Sequence, residues 1–133
     1  MIFMVLFLLL ATAGIITARY FKKRNPYWMK IHKLLMTSGL TSVFIGISWI
    51  IFVVQTEQGI HFYAPHTFLG LGTFILALTV PVLGILFTSK KTDKKLKPIL
   101  RRFHKFVGWI SLILILVTIL TGLLLSGILY LPF

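Results

Sequence analysis

Four histidines carry most of the chemistry this sequence can offer, and three of them share a setting. His32 stands before Leu34 and Leu35, His66 before Phe68 and Leu69, and His104 before Phe106 and Val107, each at the mouth of a long apolar run. The fourth, His61, lies in the short segment Gln58-Gly59-Ile60-His61-Phe62-Tyr63 between two such runs and is assigned no role. Imidazole is a proton carrier and the commonest metal ligand among side chains. An isolated histidine at an apolar boundary needs no metal: a lipid headgroup, water or a backbone carbonyl satisfies it. An ionisable group inside a membrane span is nonetheless a functional candidate by default. Two imidazoles at one depth on two helices of a bundle are a stronger signal. One can sit above and one below the ring of a six-coordinate haem iron. Which histidines pair depends on the elements that carry them.

Those elements are membrane helices. Of the 133 residues, 58% are hydrophobic, and the mean hydropathy of +0.99 is far above that of water-soluble domains. Crossing the hydrocarbon core takes about 20 apolar residues in a helix. Four runs meet that need: Ile2 to Ala18, Leu34 to Val54, Thr67 to Thr88 and Phe106 to Leu131. They are continuously apolar rather than alternating, which excludes barrel strands, and lipid obliges each backbone to bond within itself. The sequence therefore predicts an all-α, four-helix transmembrane bundle, one domain over 1–133, with helices at about 2–20, 30–55, 65–88 and 102–131. The connections, Arg19 to Lys33, Gln55 to His66 and Ser89 to Lys105, are too short for a further folded unit.

Charge gives the orientation. The chain has fourteen Lys and Arg against two acids, a net +12, and every one of those bases lies in the first or third connection. That is the positive-inside pattern, so both basic loops are expected in the cytoplasm and both termini outside, in a multi-pass protein of the cell (plasma) membrane. Anionic lipid headgroups are the natural partner of such a collar. Nucleic acid would need a folded reading surface, and none is present. The first run has no preceding positive region, and Arg19-Tyr20 is no cleavage site, so it is expected to be a retained helix rather than a secretory signal. The absence of cysteine excludes disulfides, thiolate-held iron–sulfur clusters and covalent c-type haem. Zinc fits poorly, since no Cys or carboxylate lies at ligand spacing from the basic-end histidines.

Topology then sorts the histidines. The second and fourth helices both start at the basic side, so His32 and His104 lie at matching depth, while His66 lies near the opposite surface. Gly39 and Gly46 follow His32 at heptad intervals, on one face. Gly108 lies one turn after His104 with Ser111 a turn later, and Gly70 lies one turn after His66. Small residues there leave room for porphyrin edges. They equally let helices pack closely with no cofactor. Arg101, Arg102, Lys105, Lys30 and Lys33 are candidates to neutralise haem propionates, against the simpler reading that they belong to the basic collar. Tyr27, Trp28, Phe103 and Trp109 can flank a porphyrin or anchor helix ends at the interface. Pro81 and Gly84 are expected to bend the third helix. Glu57 is the sole acid on the outer side, either solvated or in contact with a quinol or partner.

Longer motifs add a resemblance. Gly14-Ile15-Ile16-Thr17-Ala18-Arg19-Tyr20-Phe21-Lys22 followed by Tyr27-Trp28-Met29-Lys30-Ile31-His32 resembles the junction of the first two core helices of the cytochrome b561 family, nearest to the type fused to DOMON domains. Pro65-His66-Thr67-Phe68-Leu69-Gly70 and Arg102-Phe103-His104-Lys105-Phe106-Val107-Gly108-Trp109 are similar to its third- and fourth-helix entrances, in the same order. The resemblance implies a four-helix core passing electrons across the membrane through two b-type haems. It implies that His32 and His104 ligate the cytoplasmic haem. For the outer haem it offers His66 without a first-helix histidine, which would fall upstream of Met1. Met1, Met4, His61 or a partner would have to replace it. The expectation is one haem b near the cytoplasmic face, with a second through His66 left open. Two functions follow. The chain is either an electron carrier, a subunit of a larger redox complex or a homodimer that meets a quinol or other redox subunits, or a haem-free anchor or assembly subunit of such a complex.

Overall fold

The computed structural model describes residues 2–56 and 65–125, without the side chains of Val54, Pro65, His66, Thr67 and Leu125. Expectations for Met1, Glu57, His61, the His66 side chain and the stretch 126–131 lie outside the described residues. Within them the chain is all helical: α1 (Ile2–Ile16), α2 (Trp28–Thr56), α3 (Pro65–Thr88) and α4 (Leu96–Leu125). A π-helical turn, Thr17–Phe21, prolongs α1. Four helical stretches, Ile2–Phe21, Trp28–Val53, Phe68–Thr88 and Leu96–Leu124, are long and apolar enough to cross a membrane.

Two helical hairpins make the bundle. α1 packs along α2 and α3 along α4, and the pairs meet chiefly where α1 touches α4. The first hairpin closes at Asn25-Pro26, where the Tyr27 amide donates to Asn25 Oδ1 at 2.8 Å. Asparagine supplies a side-chain acceptor for such a turn and proline presets its backbone. Glycine then brings α1 and α2 together. A Cβ at Gly39 would lie 2.9 Å from Phe7 Cδ2, and one at Gly46 2.8 Å from Phe3 Cβ. The core between hairpins is small: Phe7 and Ala11 of α1, Val43 of α2, Ala77 of α3, and Ile115 and Ile119 of α4. Large apolar side chains such as Trp49, Phe52, Phe68 and Ile85 face outward, as they do where lipid is the solvent.

Buried hydroxyls complete the helix contacts. The hydroxyl oxygens of Thr73 on α3 and Thr118 on α4 lie 3.1 Å apart, while Ser42 of α2 donates to Gly39 O at 2.6 Å and lies 3.2 Å from Phe3 O on α1. α3 stays helical through Pro81.

One boundary departs from expectation. α4 begins at Leu96 rather than near 102, because Asp93 caps it. Its Oδ1 accepts the Lys95 amide at 3.0 Å and its carbonyl accepts the Leu96 and Lys97 amides. Pro98 falls in the first turn, where a missing N–H costs nothing. Asp93→Ala is expected to remove about 1 kcal/mol from this helix end, read as faster amide exchange at Lys95, Leu96 and Lys97 with no change deeper in α4.

Candidate functional site

His32 and His104 face each other at the basic end of the bundle. Their ring centroids are 6.4 Å apart and their planes cross at 78°. Each ring is fixed by the other helix of its own hairpin. His32 Nδ1 lies 2.9 Å from the Gly14 carbonyl of α1, and His104 Nδ1 lies 2.9 Å from the Val80 carbonyl of α3. A carbonyl oxygen only accepts, so in both rings Nδ1 is the N–H donor. Nε2 of the neutral imidazole is left with its lone pair. That arrangement is how metal-binding histidines are usually oriented: the far nitrogen donates to an acceptor that sets tautomer and ring angle.

The α3 backbone approaches His104 more tightly than the α1 backbone approaches His32. A Cβ at Gly14 would lie 3.6 Å from His32 Nδ1, and a Cβ at Gly84 would lie 3.3 Å from His104 Cε1. Phe87, a turn beyond Gly84, packs its ring edge-on to His104 at 5.4 Å.

Both histidines open onto one cavity of about 600 Å³. Its deep walls are apolar, from Phe7, Ala11, Ala77, Leu112 and Ile115, and Trp28 and Trp109 flank it. Its mouth carries four bases: Arg19 and Lys22 from the π-helical turn, and Arg101 and Lys105 from α4. Lys22 Nζ also lies 5.6 Å from the centroid of the Trp28 ring, within cation–π range.

These features fit a haem. Two imidazoles bound through one nitrogen each to a single metal, at about 2.0–2.1 Å per bond, have centroids roughly 6 Å apart. The observed centroid separation of 6.4 Å is close to that value. The apolar walls suit a porphyrin, and the cationic mouth suits its two carboxylates.

The structure thus brings His32, His104, Gly108, Arg101 and Lys105 to one cavity. Gly39 is elsewhere, buried against Phe7 and Leu10 of α1, and Arg102 is exposed on α4 outside the cavity lining. Sequence reasoning missed Gly14, Val80, Gly84, Phe87, Arg19 and Lys22. Phe87 follows Val80 by a heptad and so shares its face, but the role of Val80 is visible only in the structure. The carbonyls of Gly14 and Val80 have no sequence signature, since every residue has one.

Comparison with known proteins bears on the family of the chain. The family model described as eukaryotic cytochrome b561 matches residues 1–129. Among curated proteins, a cytochrome b561, DM13 and DOMON domain-containing protein of Arabidopsis thaliana is 32% identical over 120 residues, covering 86% of this chain and 13% of its own length. A cytochrome b561 and DOMON domain-containing protein of the same plant is 31% identical over 116 residues, covering 85% of this chain and 28% of its own. The chain thus spans under a third of the length of these relatives. No solved structure gives a significant match.

Proposed function

The chain belongs to the cytochrome b561 family of membrane b-type electron-transfer proteins, and on that premise we propose that it holds one haem b between His32 and His104 and passes single electrons through it. As a multi-pass integral membrane protein it contacts lipid on its outward apolar faces. The observation that carries the haem assignment is the facing pair of rings, each bonded through Nδ1 to a main-chain carbonyl at 2.9 Å.

His32 and His104 would hold the haem, which would supply one-electron redox chemistry; two imidazoles as ligands would favour electron transfer over oxygen binding. The chain does the rest. Gly14 O and Val80 O hold both rings in one tautomer, so each Nε2 is ready as a ligand without rearrangement. Phe7, Ala11, Ala77 and Ile115 keep water from the deep side. Arg19, Lys22, Arg101 and Lys105 offset the propionate charges at the mouth. They also belong to the collar that orients the basic loops toward the cytoplasm, and the two roles are compatible.

The site then opens toward the cytoplasmic surface of the cell membrane. In this reading the chain works beside other redox subunits or a quinol, in a hetero-oligomeric complex or as a homodimer. The relatives' names join cytochrome b561 and DOMON domains in one protein, which supports a membrane unit that exchanges electrons with a separate extramembrane module.

The test is a reduced-minus-oxidised spectrum of the purified protein with a haem count per chain. A low-spin b-type signal at about one haem per chain is the expected result for a single bis-imidazole site. A count near two would assign a second haem through His66. A folded preparation without haem would overturn the assignment in favour of an anchor or assembly subunit.

A further inference from the structure

Ser111 is the one buried side-chain polar atom among the described residues that has no hydrogen-bond partner. The contrast with the other buried hydroxyls is sharp. Thr17 donates to Ala13 O at 2.8 Å, Ser42 to Gly39 O at 2.6 Å, Thr73 to Leu69 O at 2.7 Å and Thr118 to Leu114 O at 2.8 Å. Each uses its proton on a carbonyl about one turn back, the usual outcome for a hydroxyl inside a helix. Ser111 does not, although it is only 4% exposed.

Its position says what the hydroxyl is for. Ser111 follows His104 by seven residues, so it lies two turns deeper on the same face of α4. It lines the same cavity as both histidines. Around it the lining is apolar: Phe7, Ala11, Ala77, Leu112 and Ile115. A lone uncommitted hydroxyl there is a small dipole free to turn, in surroundings where a dipole acts strongly because little screens it.

We propose that Ser111 sets the redox potential of the haem held by His32 and His104, its hydroxyl stabilising the oxidised state. The inference rests on the haem reading above. The oxidised iron–porphyrin core carries one more positive charge than the reduced one. A hydroxyl free to rotate turns its oxygen toward that charge and its hydrogen away. In the reduced state the charge is gone and so is most of the gain. The differential stabilisation favours the oxidised form and holds the midpoint potential down. Hydrogen bonding, dipoles and the dielectric around the site are the means by which a protein tunes such a centre once its axial ligands are set.

The experiment is a redox titration of purified, haem-loaded Ser111→Ala, Ser111→Gly and Ser111→Thr beside the unaltered protein, with haem per chain measured for each. Ser111→Ala and Ser111→Gly are expected to keep their haem and its low-spin spectrum and to titrate at a higher potential. Ser111→Thr keeps a hydroxyl at the same place and is expected to titrate with the unaltered protein. An unchanged or lowered potential in the two hydroxyl-free variants overturns the proposal while leaving the haem assignment standing. So does a Ser111→Thr potential that rises as far as that of Ser111→Ala, because packing would then be the cause. Loss of haem from Ser111→Ala and Ser111→Gly with retention in Ser111→Thr also overturns it, showing that the hydroxyl anchors the ring rather than tuning it. An unaltered protein that carries no haem fails earlier, at the assignment itself.

Discussion

His32→Gly and His104→Gly are each expected to leave a folded protein that no longer retains haem, and added imidazole is expected to restore the low-spin spectrum. Even the partners that merely orient a metal-bound histidine are worth about 10–100-fold in affinity. Removing the ligand itself is therefore expected to weaken retention by about 100-fold or more, so that haem is lost during purification. The two variants should behave alike because the two rings have equivalent surroundings, each held by one carbonyl of the neighbouring helix at 2.9 Å. Glycine is the informative replacement. It opens a space in which free imidazole can stand for the missing ring, whereas a general unfolding of the bundle would not be reversed by imidazole. Haem also stabilises whatever holds it by mass action. The glycine variants should consequently melt at lower temperature than the loaded protein, and somewhat below the unaltered chain stripped of haem, because each also loses a helix-to-helix hydrogen bond and places a glycine inside a helix. If either variant keeps its haem and spectrum, the ligand lies elsewhere and the facing pair is only a pair of helix-to-helix hydrogen bonds.

Much of this site is visible in the sequence, and the reason is depth. Positive loops fix which helix mouths share a side, and that alone places His32 beside His104 and His66 away from both. The helix spans follow from continuous apolar runs, with α3 observed at Pro65–Thr88 as expected. What the sequence conceals is direction and main chain. Gly39 shares a face with His32 by its heptad interval, yet seven residues of helix rise about 10 Å. There Gly39 is packed directly against Phe7 and Leu10 of α1, which leaves no open space beside it. Arg19 and Lys22 read as ordinary loop bases until the π-helical turn Thr17–Phe21 is seen to carry them to the cavity mouth. The lysines before residue 102 have the composition of a loop and hide the start of α4 at Leu96, although Asp93 followed by Pro98 is a legible helix entrance. The uncommitted hydroxyl of Ser111 has no sequence signature at all, since the other buried hydroxyls belong to the same residue types and are satisfied.

The glycines divide by what each would strike, and three alanine variants should therefore give three different results. Gly39→Ala sets a methyl 2.9 Å from Cδ2 of Phe7, a ring that is 4% exposed and has little room to retreat. Overpacking of this kind costs about 1–3 kcal/mol, so a clear fall in melting temperature is expected, with the spectrum of the haem that remains unchanged. Gly14→Ala meets Met36 Sδ at 2.8 Å. A thioether at the end of a flexible side chain can swing aside, and this variant should be nearly silent in both stability and spectrum. Gly84→Ala meets His104 itself, 3.3 Å from Cε1 and 3.5 Å from Nδ1. Here the yielding group is the proposed ligand. The ring must turn or shift, changing its angle to His32 from 78° and straining its bond to Val80 O. Low-temperature electron paramagnetic resonance of the oxidised protein reads the relative orientation of two axial imidazoles, and its principal g value should move in Gly84→Ala while Gly39→Ala keeps the native value. A g value that moves in Gly39→Ala but not in Gly84→Ala would mean that α1–α2 packing, and not the α3 backbone, sets the angle between the rings.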